Sequence, residues 1–464
     1  MKPEGACRER SGFPAPDETV PHPAAAGLWE QFLSRGNLVA ALKRVEQNAG
    51  AAGIDGMSTK ELRPWLSEHW PQVRSQLEAG TYRPQPVRRV EIPKPSGGTR
   101  VLGVPTALDR LIQQALAQVL TPVFDPCFSE RSFGFRPGRS AHQAVECARQ
   151  SIADGAVWAV DLDLDAFFDR VQHDALMARV ARRVHDKQVL RLIRRYLEAG
   201  VMADGVKQPS EDGTPQGSPL SPLLSNVMLD DLDRELEKRG HRFVRYADDV
   251  CVYVASERAG QRVMASITRY VEQRLKLRVN RGKSAVAPAT KRPLLGFGFF
   301  VRDGQIKVRV DPDARRRARE RLRRLTARSW SISMEERIRL INRYTVGWTA
   351  YFAYADTATP FAELDEWLRR RLRQVCWKEW KRYRTRQRNL LALGIPERKV
   401  REWAGSRKGY WRVAGSWILT RTLTNAYWAD QGLKGFSDPY RRFREALRTA
   451  GCGPACPVVW EGPG

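Results

Sequence analysis

Two aspartates side by side between apolar runs can do chemistry that folding alone does not call for. Asp248 and Asp249 close the run Tyr246-Ala247-Asp248-Asp249, with Arg242-Phe243-Val244-Arg245 before it and Val250-Cys251-Val252-Tyr253-Val254 after it. The flanks are β-branched or aromatic, so the segment reads as strand, turn, strand with both carboxylates at the turn. Adjacent carboxylates on a tight hairpin repel one another. A hard divalent cation such as Mg²⁺ removes the conflict, because it takes carboxylate oxygens and keeps positions open for phosphate.

A second acidic cluster lies upstream, in Val157-Trp158-Ala159-Val160-Asp161-Leu162-Asp163-Leu164-Asp165-Ala166-Phe167-Phe168. Its period of two predicts a strand with Asp161, Asp163 and Asp165 on one face and apolar residues on the other. Alternating Asp also suits a solvated strand face, but Asp is a poor strand former and the opposite face here is wholly apolar. A strand ending in carboxylates beside a hairpin carrying two more describes a two-metal site. Such a site clamps the attacking and leaving oxygens of a phosphoryl displacement.

The elements that must position these groups follow from the pattern. Residues 28–80 read as helical, and 86–104 as a hairpin turning at Pro95-Ser96-Gly97-Gly98, with Lys94 and Arg100 at its base. Helices are predicted over 106–121, 140–153 and 173–199, and again after Gly213-Thr214-Pro215-Gln216-Gly217-Ser218-Pro219. Strands return at 242–254 and around 294–310, and from Asp311 to about Arg388 the pattern is helical. This order is not a doubly wound repeat. It predicts an α+β fold, an antiparallel sheet with helices on one face.

The chain has 464 residues, a formal net charge of +27 and a pI near 10.3. That excess suits a phosphate backbone. No apolar run reaches the roughly 18–20 residues needed to span a bilayer, and no apolar signal-peptide core opens the chain, so no membrane partner is expected. Seven scattered Cys argue for a reduced intracellular protein rather than a disulfide scaffold. Residues 311–450 alone hold 33 Lys and Arg against 15 Asp and Glu, and nine of the 14 Trp. Basic side chains interleaved with aromatics suit RNA, although a Trp-rich helical core under a solvated Arg face gives the same composition.

Several ordered motifs then resemble the reverse transcriptase/maturase proteins encoded by bacterial group II introns. They are Ile92-Pro93-Lys94-Pro95 with Arg100-Val101-Leu102-Gly103-Val104-Pro105-Thr106, Ser132-Phe133-Gly134-Phe135-Arg136-Pro137, and the acidic strand. Thr214-Pro215-Gln216-Gly217-Ser218-Pro219-Leu220-Ser221-Pro222, Tyr246-Ala247-Asp248-Asp249 and Leu295-Gly296-Phe297 continue the series. Gly347-Trp348, Tyr351-Phe352, Leu364-Asp365, Trp367-Leu368-Arg369-Arg370-Arg371-Leu372-Arg373 and Trp377-Lys378 resemble the family's maturase thumb.

The resemblance implies a right-hand polymerase. Its divisions would be a disordered tail over 1–27, an N-terminal extension and fingers over 28–155, and a palm over 156–310. A thumb/maturase domain (311–390), a basic C-terminal nucleic-acid-binding segment (391–450) and a tail (451–464) would follow. The catalytic and metal-binding carboxylates would be Asp163, Asp248 and Asp249, holding two Mg²⁺ ions that Mn²⁺ can replace. In the family an aromatic follows the first catalytic Asp by five positions and screens the ribose 2′-hydroxyl. Counting from Asp163 gives Phe168 and from Asp161 gives Ala166, so Asp163 is favoured and Asp161 stays a candidate. Lys94, Arg100, Phe168 and Gln216 would contact the nucleotide, and Leu295, Gly296 and Phe297 would form the primer grip. Arg315, Arg316, Arg317, Arg369, Arg370 and Arg371 would bind RNA.

The implied partners are the group II intron RNA, an RNA template with a DNA primer, target DNA and dNTPs, in the bacterial cytoplasm and at the nucleoid when bound to DNA. Splicing and retrohoming would be the outcome. Many relatives end in a Cys- and His-containing endonuclease domain. No His follows His241 here, so the likeness is to the endonuclease-lacking lineage, priming from elsewhere, for example a nascent strand at a replication fork. The rival readings are a splicing-only maturase and a repurposed CRISPR-associated, diversity-generating or antiphage reverse transcriptase.

Overall fold

The computed structural model describes residues 27–93, 99–203, 206–208 and 217–449. The N-terminal half runs α1 (Leu28–Leu33), α2 (Arg35–Asn48), α3 (Leu62–Glu78), β1 (Val87–Pro93), β2 (Thr99–Val104), α4 (Ala107–Phe124), α5 (Ala141–Ala153) and β3 (Trp158–Leu162). It continues with α6 (His173–Ala181), α7 (Lys187–Glu198), β4 (Val201–Ala203), β5 (Val206–Gln208) and α8 (Ser221–Lys238). Then come β6 (Arg242–Tyr246), β7 (Asp249–Val254), α9 (Glu257–Gln273), β8 (Ala285–Pro288), β9 (Phe297–Arg302) and β10 (Gln305–Val310). The rest is helical: α10 (Pro312–Leu325), α11 (Met334–Phe352), α12 (Thr359–Glu379), α13 (Tyr383–Ala392), α14 (Glu397–Ala404), α15 (Tyr410–Ala414), α16 (Trp417–Thr422), α17 (Asn425–Asp430) and α18 (Ser437–Thr449).

The boundaries have local causes. Ser140 and Gln143 form a reciprocal capping box at the start of α5. Thr106, Ser256 and Ser333 each accept a hydrogen bond from a first-turn N–H of α4, α9 and α11. Asp311 caps α10 with Pro312 at its first position. The single helix expected over 173–199 is two, because Asp186 accepts from Gln188 and Val189 N–H and starts α7 afresh.

The chain divides into two compact units, one made of residues up to Phe128 with 166–230, the other of 129–165 with Asp231 onward. The first holds a sheet ordered β2-β1-β4-β5. β1 and β2 form the expected antiparallel hairpin, and β4 adds to it in parallel.

The second unit holds the wholly antiparallel sheet β6-β7-β3-β8, the β9–β10 hairpin and helices α10 to α18. Helices cover both faces of this sheet rather than the one expected. Ala144, Val145 and Ala148 of α5 share a core with Ala159, Val244, Cys251 and Tyr253. On the other face a Cβ at Gly260 of α9 would stand 2.5 Å from Val286 Cγ1 and 3.5 Å from Val160 and Val254. The sheet therefore carries apolar residues on both sides, which is why β7 reads as a continuous apolar run rather than an alternation. The α5-side core runs without a break through Phe297, Phe299 and Val308 into Phe352, Phe361, Trp377, Trp428 and Phe436.

Candidate active site

Register assembles the site. β3 pairs with β7 so that Asp161 faces Cys251 and Leu162 faces Val250, and the pairing ends there with Asp163 and Asp249 as the next residue of each strand. Tyr246 pairs with Asp249 across a two-residue loop of Ala247 and Asp248, with Ala247 at φ 59°. Asp161, Asp163, Asp248 and Asp249 thus collect at one end of one sheet.

The acidic strand is shorter than its period suggests. β3 stops at Leu162, and Asp163 and Asp165 lie beyond it. There the backbone is held by the 278–284 segment: Asn280 N–H donates to Asp163 O at 2.8 Å, and Asp165 N–H to Arg278 O at 2.8 Å. Asp163 N–H donates to Ser284 Oγ at 3.0 Å. Only Asp161 is a true strand residue.

Electrostatics separates the four groups. Asp249 has its pKa pushed up to about 6, first by the protein mass around the carboxyl and then by Asp248, Asp161 and Asp163, against an opposing pull from Lys283. The residue is nonetheless solvent-exposed. Water at the exposed carboxyl screens both the desolvation and the repulsion of the three carboxylates, so both act there in weakened form. Burial also raises Asp161, opposed by the Arg292 guanidinium that hydrogen-bonds it. Lys283 Nζ lies 3.2 Å from Asp163 Oδ2.

Among the described residues no three His, Cys, Asp or Glu side chains converge as a ready-made ion cage. The donor set still fits hard cations. It is all carboxylate oxygen, its charges repel, and the Lys283 ammonium already stands on Asp163 as a substitute positive charge. Of the other residues named from sequence, Lys94 and Gln216 lie outside the described residues, as does the side chain of Arg100, whose backbone pairs with Ile92. Phe168 is buried, 8% exposed, edge-on to Phe167 at 5.2 Å.

The Leu295-Gly296-Phe297 turn is built into the helical region. Leu294 and Phe297 exchange backbone hydrogen bonds at 2.8 and 2.9 Å around a two-residue loop with φ of 52° and 82°. Tyr351 of α11 donates its hydroxyl to Leu295 O at 2.9 Å. A Cβ on Gly296 would stand 3.2 Å from the Phe352 ring, and Phe297, fully buried, packs on Tyr351, Phe352 and Tyr354.

The six arginines divide. Arg316 and Arg317 are exposed on α10, with Arg316 paired to Asp313 one turn before it at 2.5 Å. Arg315 reaches Glu363 at 3.5 Å. Arg369 is half-buried. Arg370 lies 4.1 Å over the Trp411 ring. Arg371 binds Thr326 Oγ1, Thr326 O and Arg323 O at 3.0, 3.1 and 3.2 Å. Sequence reasoning missed Lys283, Ser284 and Arg292; nothing in a run of ordinary surface charge marks them, and only the path of the chain past β8 makes them neighbours of the acidic strand.

Four carboxylates thus gather at the end of an antiparallel sheet, and helices α10 to α18 follow it in the chain. A family described as reverse transcriptase (RNA-dependent DNA polymerase) matches residues 92–299, and one described as the group II intron maturase-specific domain matches 315–394. Protein YkfC of Escherichia coli K12 is 30% identical over 342 residues, spanning 63% of this chain and 88% of YkfC. Group II intron-encoded protein LtrA of Lactococcus lactis subsp. cremoris is 37% identical over 215 residues, 45% of this chain and 34% of LtrA. A 91 kDa protein in the cob intron of Schizosaccharomyces pombe is 32% identical over 217 residues, 47% of this chain and 27% of its own. The chain belongs to the family of group II intron reverse transcriptase/maturases, and it carries an RNA-directed DNA polymerase domain joined to a maturase domain. No helix among the described residues is long and apolar enough to cross a membrane.

Proposed function

We propose that the chain copies RNA into DNA with Asp163, Asp248 and Asp249 as its catalytic carboxylates, and binds its parent group II intron RNA through the basic helical region to promote splicing and retrohoming. The observation that supports the site is the β3–β7 register, which ends at Leu162↔Val250 and leaves Asp163 and Asp249 next in their strands, near enough for Asp163 and Asp248 to raise the Asp249 carboxyl. Divalent cations, two Mg²⁺ or Mn²⁺ in their place, would be held by these three and would activate the primer 3′-hydroxyl and neutralise the leaving pyrophosphate. Asp161 stays the nearby candidate for the first carboxylate, within β3 and hydrogen-bonded by Arg292. Lys94 and Arg100 are proposed to hold the triphosphate, Gln216 and Phe168 the sugar, and residues 295–297 the primer end. An RNA template with its DNA primer, target DNA and dNTPs are the remaining partners, met in the bacterial cytoplasm and at the nucleoid.

The test is primer extension on an RNA template beside intron-RNA binding. Asp248→Ala, Asp249→Ala and Asp163→Ala should each abolish extension and leave binding intact. Extension by Asp248→Ala at the wild-type rate defeats the site. If Asp161→Ala is inactive and Asp163→Ala active, the choice between those two is wrong.

A further inference from the structure

The Ser132-Phe133-Gly134-Phe135-Arg136-Pro137 motif has no part in the chemistry assigned to the aspartates, and the structure places it directly behind the Asp248-Asp249 turn. Ser132 bridges Arg245 of β6 in parallel. Phe133 N–H donates to Arg245 O, and Arg245 N–H to Arg131 O, each at 2.9 Å. The next residue, Gly134, leaves no room: a Cβ there would stand 2.2 Å from Ala247 N and 2.9 Å from Tyr246 C. Arg136 braces the strip from behind, donating from Nη1 to Ser129 O at 2.6 Å and Ser132 O at 2.9 Å.

The side chain of Arg245 completes the arrangement. It is wholly buried with Asp233 of α8, both 0% exposed. Arg245 Nε donates to Asp233 Oδ1 and Oδ2 at 2.8 and 3.0 Å, and Nη2 to Oδ2 at 2.6 Å. Its Nη1 donates to Ala247 O at 2.9 Å. A buried ion pair of this kind is often no more stabilising than apolar residues of the same volume, because desolvating two charges offsets their attraction. What it supplies here is a fixed donor on the carbonyl of a residue held at φ 59°, a conformation that an alanine adopts at a cost.

We propose that Arg245, Asp233 and Gly134 are positioning residues for the catalytic turn: Asp233 orients the Arg245 fork, the fork fixes the peptide joining Ala247 to Asp248, and Gly134 lets the 132–134 strip close against the preceding peptide, which joins Tyr246 to Ala247. The inference rests on the assignment of Asp248 and Asp249 as catalytic, whose own control is Asp248→Ala.

The double variant Asp233→Leu/Arg245→Met removes the tether while filling the volume. Its thermal midpoint is expected at or above wild type, with intron-RNA affinity unchanged. Its primer extension should fall by about 100-fold in rate at saturating dNTP, the effect of misplacing a catalytic group by about 1 Å. Amide hydrogen exchange at residues 247–249 should quicken in the same protein. Arg245→Lys, which keeps the charge and loses the fork, should show the same pattern more mildly. Gly134→Ala should lose extension by displacing the Ala247 peptide. If the double variant extends at the wild-type rate, or exchange at 247–249 does not change, the proposal fails. It also fails if the double variant loses its folding transition, since the pair would then hold the fold rather than the turn. Wild-type extension by Asp248→Ala would instead overturn the underlying site.

Discussion

Asp249 gives the site a dependence on acidity that burial and the neighbouring carboxylates dictate together. A carboxyl raised to about 6 retains its proton where an ordinary Asp has lost it. Cation binding must displace that proton. The Mg²⁺ concentration for half-maximal extension should therefore be flat above about pH 7 and climb as pH falls through about 6. A Mg²⁺ titration at several pH values checks this; a requirement that does not change with pH would mean that Asp249 is an ordinary carboxylate. Phe168 carries a second expectation. If its ring screens the 2′-hydroxyl, Phe168→Ala raises ribonucleotide over deoxyribonucleotide incorporation through loss of a clash. An unchanged ratio in a folded, active variant assigns the ring to packing on Phe167 alone. Of these residues, the two turn aspartates were legible in the sequence because they contradict folding preference so sharply. Lys283 and Arg292 were not legible, because their meaning depends on register and not on residue type.

Among the elements, α11 and the Leu295-Gly296 turn act on each other. Tyr351→Phe removes one hydrogen bond to Leu295 O, a net loss of about 1 kcal/mol. It should weaken use of the primer end and leave intron binding unchanged, as read by extension against primer concentration. The helical arginines make a paired expectation. Arg371 spans Thr326 and Arg323 O, so Arg371→Ala should lower stability by about 1–3 kcal/mol. Arg316→Ala with Arg317→Ala should change stability by less than about 0.5 kcal/mol per site. The same pair should reduce the salt slope of intron binding by up to about 0.7–0.9 for each phosphate no longer neutralised. Chemical denaturation beside binding at several salt concentrations separates the two. Sequence pattern located most of these helices, since the spacing of Leu and Trp and the caps at Ser256, Asp311 and Ser333 are local signals. It misjudged β3, where alternation promised three in-strand aspartates and the 278–284 segment draws the chain out of the sheet after one. It also did not foresee helices on both sheet faces, because apolar residues at successive positions of β7 do not say what covers them.

For the molecule as a whole, most of the net charge and the proposed catalytic carboxylates lie in different stretches of chain. Residues 311–450 carry 33 basic against 15 acidic residues, while the carboxylates of the site all precede residue 250. Inactive Asp249→Ala protein should therefore still support splicing at low Mg²⁺, since that needs binding and no phosphoryl transfer by the protein. Loss of splicing in that variant, with the exposed arginines affecting extension alone, would undo this division. Yet the separation of charge is not a separation of structure. Phe297 and Phe299, whose strand follows the palm sheet, share one uninterrupted core with Phe352 of α11, Trp377 of α12 and Phe436 before α18. A descendant released from selection for DNA synthesis could shed its aspartates freely. It could not shed the sheet that bears them, because the splicing half would lose its floor. Lineages drifting toward splicing alone are thus expected to become polymerases in outline with the acidic residues gone, and grafting the maturase helices onto a foreign palm should fail unless the 297–310 hairpin travels with them.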